Sequence, residues 1–228
     1  MNTVPLMFAE DVARLLKEAS FCCLRNFSSG LFGDVGRSLS EKQLLVNVNV
    51  VFNPEPCTFD YCLTCFRGVN GVFAPEEAYM YDPADDRIVL EFRVYLFKRK
   101  SNVNCNVQWT TATASDPTFM KWLKAPFARN FLGLYFSCPE FLKLLPSYCT
   151  FNEIHAEKAY NDALDSIICR SQACGRLEDV NCPQFFKKRG REASAAWILT
   201  NNRLKCVSYY KVCNRGRIEN ALTDILSD

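Results

Sequence analysis

Cysteine is the residue type with the most obvious chemical potential in this chain of 228 residues, which has thirteen cysteines and one histidine. Cys62 and Cys65 form a C-x-x-C pair, with Cys57 upstream and Cys105 next along the chain. A structural zinc site needs four converging Cys or His ligands, usually as two such pairs. Only one pair is present in the sequence, and in a strand its two members point to opposite faces. We therefore interpret these cysteines as core or surface residues, with metal binding and redox activity as the alternatives, and predict no metal site and no cofactor.

The single histidine, His155, is the other candidate for catalysis. Nucleophilic catalysis by Ser or Cys needs an imidazole beside the nucleophile. The sequence contains no G-x-S-x-G motif, no P-loop, no dinucleotide-binding glycine motif and no H-E-x-x-H. His155 lies between Ile154 and Ala156, and strand alternation turns it away from both. We therefore predict that the protein is not an enzyme.

Two basic runs, residues 98–100 and 187–191, could contact phosphates or act as nuclear-import signals. Nucleic-acid binding predicts that both runs share one face with an aromatic side chain. The formal net charge is only +2, from 27 basic and 25 acidic residues. Because so small a charge gives no general attraction to nucleic acid, we favour solvated loops and keep nucleic-acid binding and import as alternatives.

The cellular compartment follows from the cysteines and from the N-terminus. The cysteines follow no disulfide-framework spacing, and reduced, buried cysteines behave as small hydrophobic residues. The first residues are acidic and lack the uninterrupted apolar stretch of a signal peptide. No run approaches the ~20 apolar residues that a membrane span requires. We expect an intracellular protein, cytoplasmic or nuclear, that is neither secreted nor inserted in a membrane.

The middle of the chain, residues 41–115, has the two-residue periodicity of strands. Four segments alternate between apolar and polar residues or are rich in aromatic and β-branched residues: 43–52, 58–66, 87–98 and 103–111. The connections between them are too short for crossover helices, apart from the one around Pro75–Tyr79. We therefore predict a mostly antiparallel, β-rich region.

From residue 116 to residue 228, one apolar pattern returns four times. The four units are Phe131-x-x-Leu134-x-Phe136, Phe151-x-x-Ile154-x-Ala156, Leu177-x-x-Val180-x-Cys182 and Leu204-x-x-Val207-x-Tyr209. A run of the form L-x-x-L-x-L that recurs every ~20–29 residues is typical of leucine-rich repeats. The pattern predicts irregular leucine-rich-repeat-like strand–helix units, with parallel strands and the helices on one side. The expected fold class is α/β.

The first segment, residues 1–40, is predicted to be helical. Apolar residues recur there at steps of three and four, which is one stripe of a helix: Pro5, Phe8, Val12, Leu15 and Leu16. The order Val4-Pro5-x-x-Phe8, the later stripe residues and then Leu24-x-x-Phe27-Ser28-x-x-Leu31-Phe32 resembles a degenerate F-box. Val4 replaces the usual Leu, and Phe32 stands where Trp is common. The layout also resembles nematode families related to F-box-associated proteins.

The resemblance implies a substrate-recruiting subunit of a cullin ubiquitin ligase, docked to a Skp-family adaptor through the stripe that begins at Pro5. We expect an unknown protein target to bind the polar residues that alternation turns away from the apolar pairs: Tyr135, Asn152, His155, Glu178, Asn181 and Ser208. The alternatives are an orphan structural or binding domain without ligase docking, in which the helices cap the sheet, and a nucleic-acid-binding protein.

Overall fold

The computed structural model of the protein describes residues 43–69, 72–74, 88–103, 108–124, 130–156, 158–208 and 216–217. These residues form an α/β fold with one ten-stranded sheet and five α-helices. The predicted helical segment 1–40 lies outside the described residues. The sheet continues across residues 115 and 116, because strands from both sides of that position pair with each other.

The ten strands form a single path with one branch. They are β1 (Gln43–Asn53), β2 (Thr58–Val69), β3 (Val72–Ala74), β4 (Ile88–Phe97), β5 (Thr110–Ala112), β6 (Asn130–Leu134), β7 (Glu153–His155), β8 (Asp179–Asn181), β9 (Cys206–Ser208) and β10 (Gly216–Arg217). The order across the sheet is β10-β9-β8-β7-β6-β4-β1-β2-β3, and β5 pairs with β2 beside this path.

The five helices all follow the first part of the sheet in sequence. They are α1 (Pro117–Lys124), α2 (Pro139–Leu144), α3 (Asp162–Ala173), α4 (Pro183–Arg189) and α5 (Arg191–Thr200). A short 3-10 helix, Lys100–Asn102, follows β4. In the described parts of the chain, none of the helices combines the length and the apolar character that crossing a bilayer demands.

The pairing of β1 adds detail to the expectation about the middle region. The pairs β1–β2, β2–β3 and β2–β5 are antiparallel, as predicted. β1 also pairs with β4, and that pair is parallel, with one register shift between Leu44 and Leu45. β1 and β3 both run antiparallel to β2, so β4 follows β3 in the same direction. The connection between these two strands contains the exception around residues 75–79, so the parallel pair agrees with a sheet that is mostly, and not wholly, antiparallel.

The segment from β6 to β9 has the predicted parallel order. Its first unit, however, pairs with the second unit two residues away from the register that the repeat pattern predicts. The pairs β6–β7, β7–β8 and β8–β9 are all parallel, and neighbours in sequence are neighbours in the sheet. Leu132, rather than Leu134, is the register partner of Ile154. A two-residue displacement keeps every side chain on the same face, so alternation alone does not detect it.

One face of the sheet is covered by the helices and holds the core. Its strands contribute fully buried side chains such as Val48, Leu132, Ile154 and Val180. All five helices add buried residues to the same cluster, including Phe119, Phe141, Leu164, Phe185 and Ile198. We call this the helix-covered face.

Polar caps fix where two of these helices begin. Asp116 Oδ1 accepts hydrogen bonds from the backbone N–H groups of Thr118 and Phe119, 2.9 and 3.0 Å away. Asn161 Oδ1 accepts from the N–H of Leu164 at the start of α3. Such caps satisfy N–H groups that have no partner inside the helix. They also set the position at which each helix crosses the sheet.

Candidate functional site

The face opposite the helices carries two rows of residues in register, and we call it the second face. Neighbouring strands place the members of each row side by side. The first row is Arg93, Phe131, Glu153, Asp179 and Cys206. The second row is Tyr95, Gly133, His155, Asn181 and Ser208. Strand alternation makes this face from the residues that the core does not use.

Four rings on β4, on β6 and just after β6 form an aromatic cluster: Tyr95, Phe97, Phe131 and Tyr135. The rings of Phe97 and Tyr135 are nearly parallel, with centroids 5.1 Å apart. The Tyr95 and Phe131 centroids are also 5.1 Å apart. Gly133 makes room for this packing, because a Cβ at its position would lie 2.6 Å from Cδ1 of Tyr95. The cluster therefore depends on a glycine at this one point of close approach.

A cavity of about 640 Å³ opens beside the cluster at the carboxyl ends of β4, β6 and β7. Phe97, Tyr135 and His155 line it, together with the cations of Lys98 and Lys158. Tyr135 is 58% exposed, which is high for a large ring. The cavity therefore combines an accessible aromatic surface with positive charge.

Three titratable side chains converge next to this cavity. Glu153 and Asp179 are register partners on β7 and β8, and His155 is two residues after Glu153. Nε2 of His155 lies 3.6 Å from Oδ2 of Asp179. One nitrogen or oxygen atom from each of the three residues lies within 4.8 Å of the others. The imidazole and the Phe131 ring pack edge to face, with centroids 4.7 Å apart, so the imidazole is held in place.

The predicted target-binding residues fall into two groups. Tyr135 and His155 line the same cavity, and His155, Asn181 and Ser208 are consecutive members of the second row. Asn152 and Glu178 lie elsewhere, at the residue just before β7 and β8. Glu178 is buried, at 8% exposure.

Asn152 and Glu178 belong to a polar ladder that joins the repeated strands. Asn152 Nδ2 donates to the carbonyl oxygen of Arg176, and Nζ of Lys205 donates to Oε2 of Glu178. The backbone continues the ladder, because the N–H of Glu178 donates to the carbonyl oxygen of Asn152. These side chains hold neighbouring units together, which explains why they are polar without lining the cavity.

The C-x-x-C pair has the arrangement that alternation predicts. Cys62 and Cys65 are both buried. Cys65 belongs to the core of the helix-covered face, whereas Cys62 Sγ lies 3.7 Å from Nδ2 of Asn49, with which it shares the opposite face. Cys57 is exposed in the turn before β2, and Cys105 lies outside the described residues. Within the described ranges, the one group of three possible metal ligands contains no cysteine.

The first basic run adjoins the cavity. Lys98 lines it, and Nζ of Lys100 lies 3.1 Å from Oδ2 of Asp60. Burial on its own raises the pKa of Asp60, but hydrogen bonds from Thr111, Asn53 and Lys100 outweigh it and lower the pKa below its ordinary value. Asp60 therefore stays ionised and holds the end of this run against β2.

The second basic run lies in the helical layer. Nζ of Lys188 is 2.8 Å from Asp162, and the guanidinium of Arg189 is 2.7 Å from Asp165. Both carboxylates belong to α3, so these two cations bind a neighbouring helix. Lys98 lines the cavity and the two cations pair with α3, so these residues have local contacts, and nucleic-acid binding stays a prediction.

The predicted adaptor-docking residues, Pro5, Phe8, Val12, Leu15 and Leu16, lie outside the described residues. Comparisons with other proteins add nothing to the assignment of the site. No family model, curated protein or solved structure matches this chain. The site must therefore be interpreted from its own geometry.

Sequence reasoning missed Glu153 and Asp179, although a signal for them was present. Each lies two residues after the first apolar position of its unit, Phe151 or Leu177. Units aligned on those positions place the two carboxylates side by side in a parallel pair. The ring partners of Tyr135 carried no comparable signal, because Phe97 belongs to a strand that the repeat pattern did not include.

Proposed function

We propose that the protein is a non-enzymatic interaction module that binds a peptide segment of a target protein at the cavity beside the aromatic cluster. The observation that carries the proposal is the exposed ring of Tyr135, stacked on Phe97 at the rim of a cavity that also holds Lys98 and Lys158. Tyrosine is enriched among the residues that dominate binding energy at protein interfaces. A ring that is already stacked loses little freedom when a partner binds it.

The charged side chains that line the cavity indicate which kind of peptide it binds. Lys98 and Lys158 bring two cations to one cavity, and the aromatic cluster provides an apolar wall. A segment with an aromatic or aliphatic side chain next to an Asp or Glu satisfies both features. The lysines then favour encounter and orientation, and the apolar contact supplies most of the affinity.

The architecture supports the same proposal. We interpret β6 to β9 and their helices as leucine-rich-repeat-like units, because parallel strands follow one another in sequence order with helices on one face. Stacked repeats of this kind present extended binding surfaces. Among the described residues of this array, the strand end at Tyr135, which is 58% exposed, is available to a partner.

Display of a random peptide library against the full chain tests the proposal. We expect selected peptides to pair an acidic residue with a large apolar one, and Tyr135→Ala to weaken their binding about 30-fold, as for other residues of this kind. Tyr148→Ala is the matched control, because Tyr148 is 65% exposed and is not among the residues that line the cavity. Selected peptides that are basic, or that bind the Tyr135→Ala variant equally well, would contradict the proposal.

The ligase connection is a separate proposal, which rests on the F-box resemblance of residues 1–40. In it, Pro5, Phe8, Val12, Leu15 and Leu16 dock a Skp-family adaptor, as an amphipathic helix docks in an apolar groove. A pull-down of a purified Skp-type adaptor by the full chain tests it. Val12→Glu together with Leu16→Glu should abolish capture while the circular dichroism spectrum stays unchanged. Capture by the doubly charged variant would reject adaptor docking and leave the cavity proposal intact.

A further inference from the structure

The three side chains Glu153, His155 and Asp179 have the composition and the placement of a metal site. Register fixes the backbone positions of the two carboxylates on neighbouring strands. The imidazole lies on the same face of β7 as Glu153, two residues further on. Positions on paired strands are more rigid than positions on loops, and metal sites need that precision.

The distances already approach those of a coordinated ion. Zinc binds nitrogen and carboxylate oxygen at about 2.0–2.2 Å, which places tetrahedral ligand atoms about 3.5 Å from one another. His155 Nε2 and Asp179 Oδ2 are 3.6 Å apart. All three donor atoms lie within 4.8 Å of one another, so no pair is far beyond that spacing.

The ligand types narrow the choice of metal. An imidazole nitrogen with two carboxylates suits zinc better than calcium or magnesium, which prefer oxygen alone. We propose that Glu153, His155 and Asp179 bind one Zn²⁺ ion, with Nε2 of His155 and one oxygen of each carboxylate as ligands.

Three protein ligands leave a fourth position of a tetrahedral ion open. His155 also lines the cavity, so the ion lies at the edge of that cavity. The fourth position then faces incoming molecules and takes a water or an oxygen donor. If the proposed function holds, that donor is a carboxylate of the bound peptide. The metal site itself does not depend on the peptide.

Two competing interpretations must be separated from this one. The first is an ion pair between protonated His155 and Asp179 without a metal. The second is zinc bound by thiolates, since the chain has thirteen cysteines. Cobalt separates them, because Co²⁺ replaces Zn²⁺ in such sites and shows an intense sulfur-to-metal absorption band only when cysteine is a ligand.

The test uses the full chain, stripped with a chelator and then titrated with Zn²⁺ by calorimetry and with Co²⁺ by absorption and NMR. Because His155 is the only histidine, its imidazole proton signals are unambiguous. We expect one Zn²⁺ per chain, a Co²⁺ spectrum without the sulfur band, and strong paramagnetic shifts of the His155 signals. His155→Gln and Asp179→Asn should each weaken Zn²⁺ binding at least tenfold.

Two matched controls show whether the loss is specific. Asp162→Asn removes a carboxylate on α3 that is 93% exposed, and Cys206→Ser removes the neighbouring thiol in the first row. Both variants should bind Zn²⁺ as the unchanged chain does. If His155→Gln fails to fold, the paramagnetic shift of His155 in the unchanged chain still decides the question. Equal binding by Asp179→Asn, a sulfur band at the first equivalent of Co²⁺, or unshifted His155 signals would each overturn the proposal.

Discussion

The two faces of the sheet are made from alternate residues of the same strands, yet they differ in burial, charge and chemistry. On the helix-covered face, Leu132, Ile154 and Val180 are fully buried and apolar. On the second face, the next residues along β7 and β8 include His155 and Asn181, which are half-buried and polar. A single step along the chain therefore changes a core position into a candidate binding position.

This difference shows where the fold constrains the sequence and where it does not. Burying a large apolar side chain contributes roughly 1.5–3 kcal/mol, so the helix-covered face accepts few alternatives. The second face contributes less to the core and can meet other demands. Its rings, its two carboxylates and its imidazole are therefore better evidence of function than of folding.

Substitutions at two adjacent residues of β7 test this contrast most strongly. Ile154→Ala should lower the free energy of unfolding by about 2–5 kcal/mol, because it leaves a cavity in the core. His155→Gln, one residue later, should change it by less than about 1 kcal/mol. Urea denaturation followed by circular dichroism measures both. A cost for His155→Gln equal to that for Ile154→Ala would show that the second face is also a core.

Much of the fold could be predicted from the sequence because periodicity reports burial. The apolar residues of β6 to β9 indicated parallel strands in sequence order, and the pairing confirms this. The displacement of the first unit could not be detected, because Leu132-x-Leu134 and Leu134-x-Phe136 have the same alternation. The exception around residues 75–79 allowed a parallel β4, but its pairing with β1 could not be predicted, because pairing between distant segments depends on the whole sheet.

The candidate site was only partly predictable. Tyr135, His155 and Asn181 lie on the second face or at the cavity, whereas Asn152 and Glu178 do not. Those two lie two residues before Ile154 and Val180, so strand alternation assigns them to the side of these core residues and not away from it. They hold neighbouring repeats together through the polar ladder, and alternation gives no information about such hydrogen-bond partners.

A substitution at Gly133 tests whether the aromatic cluster on the second face is held in one arrangement. In Gly133→Ala, the new Cβ would meet Tyr95 at 2.6 Å and Cε1 of Phe131 at 2.8 Å, so the rings must move. We expect a loss of about 1–3 kcal/mol, as for other overpacked sites. The near-ultraviolet circular dichroism of the aromatic cluster should change as well.

The peptide-binding assay then shows what the ring arrangement contributes. If the cluster is a prepared binding surface, Gly133→Ala should weaken peptide binding more than Tyr148→Ala does at matched folded fraction. Unchanged stability and an unchanged near-ultraviolet spectrum would mean that the rings move freely. The cluster would then no longer count as a preorganised wall of the cavity.

The smallest expected effect concerns a charged cluster on the helical side, where titratable groups serve structure. Asp165 on α3 accepts hydrogen bonds from the guanidinium of Arg189 and from the hydroxyl of Tyr160. Burial on its own raises the pKa of Asp165, but these bonds and the nearby positive charges outweigh it and hold the pKa below 3.8. The ionised form is therefore stabilised by folding.

The sign of the pH dependence follows from that lowered pKa. The contribution of Asp165 is complete above the unfolded-state value near 3.8 and is lost as the pH falls through the lower folded-state value. Asp165→Asn should therefore be less stable than the unchanged chain by about 1 kcal/mol at pH 7, and the difference should shrink below pH 4. Lys143→Gln is the control, because Lys143 is an exposed lysine of α2 and is not among the charges that lower the pKa of Asp165. A difference that stays constant between pH 7 and pH 3 would show that Asp165 acts through packing rather than charge. Asp165 and its partners would then stabilise the fold by packing, as the apolar core does. Glu153, His155 and Asp179 on the second face would then be the clearer example of side chains arranged for their charge.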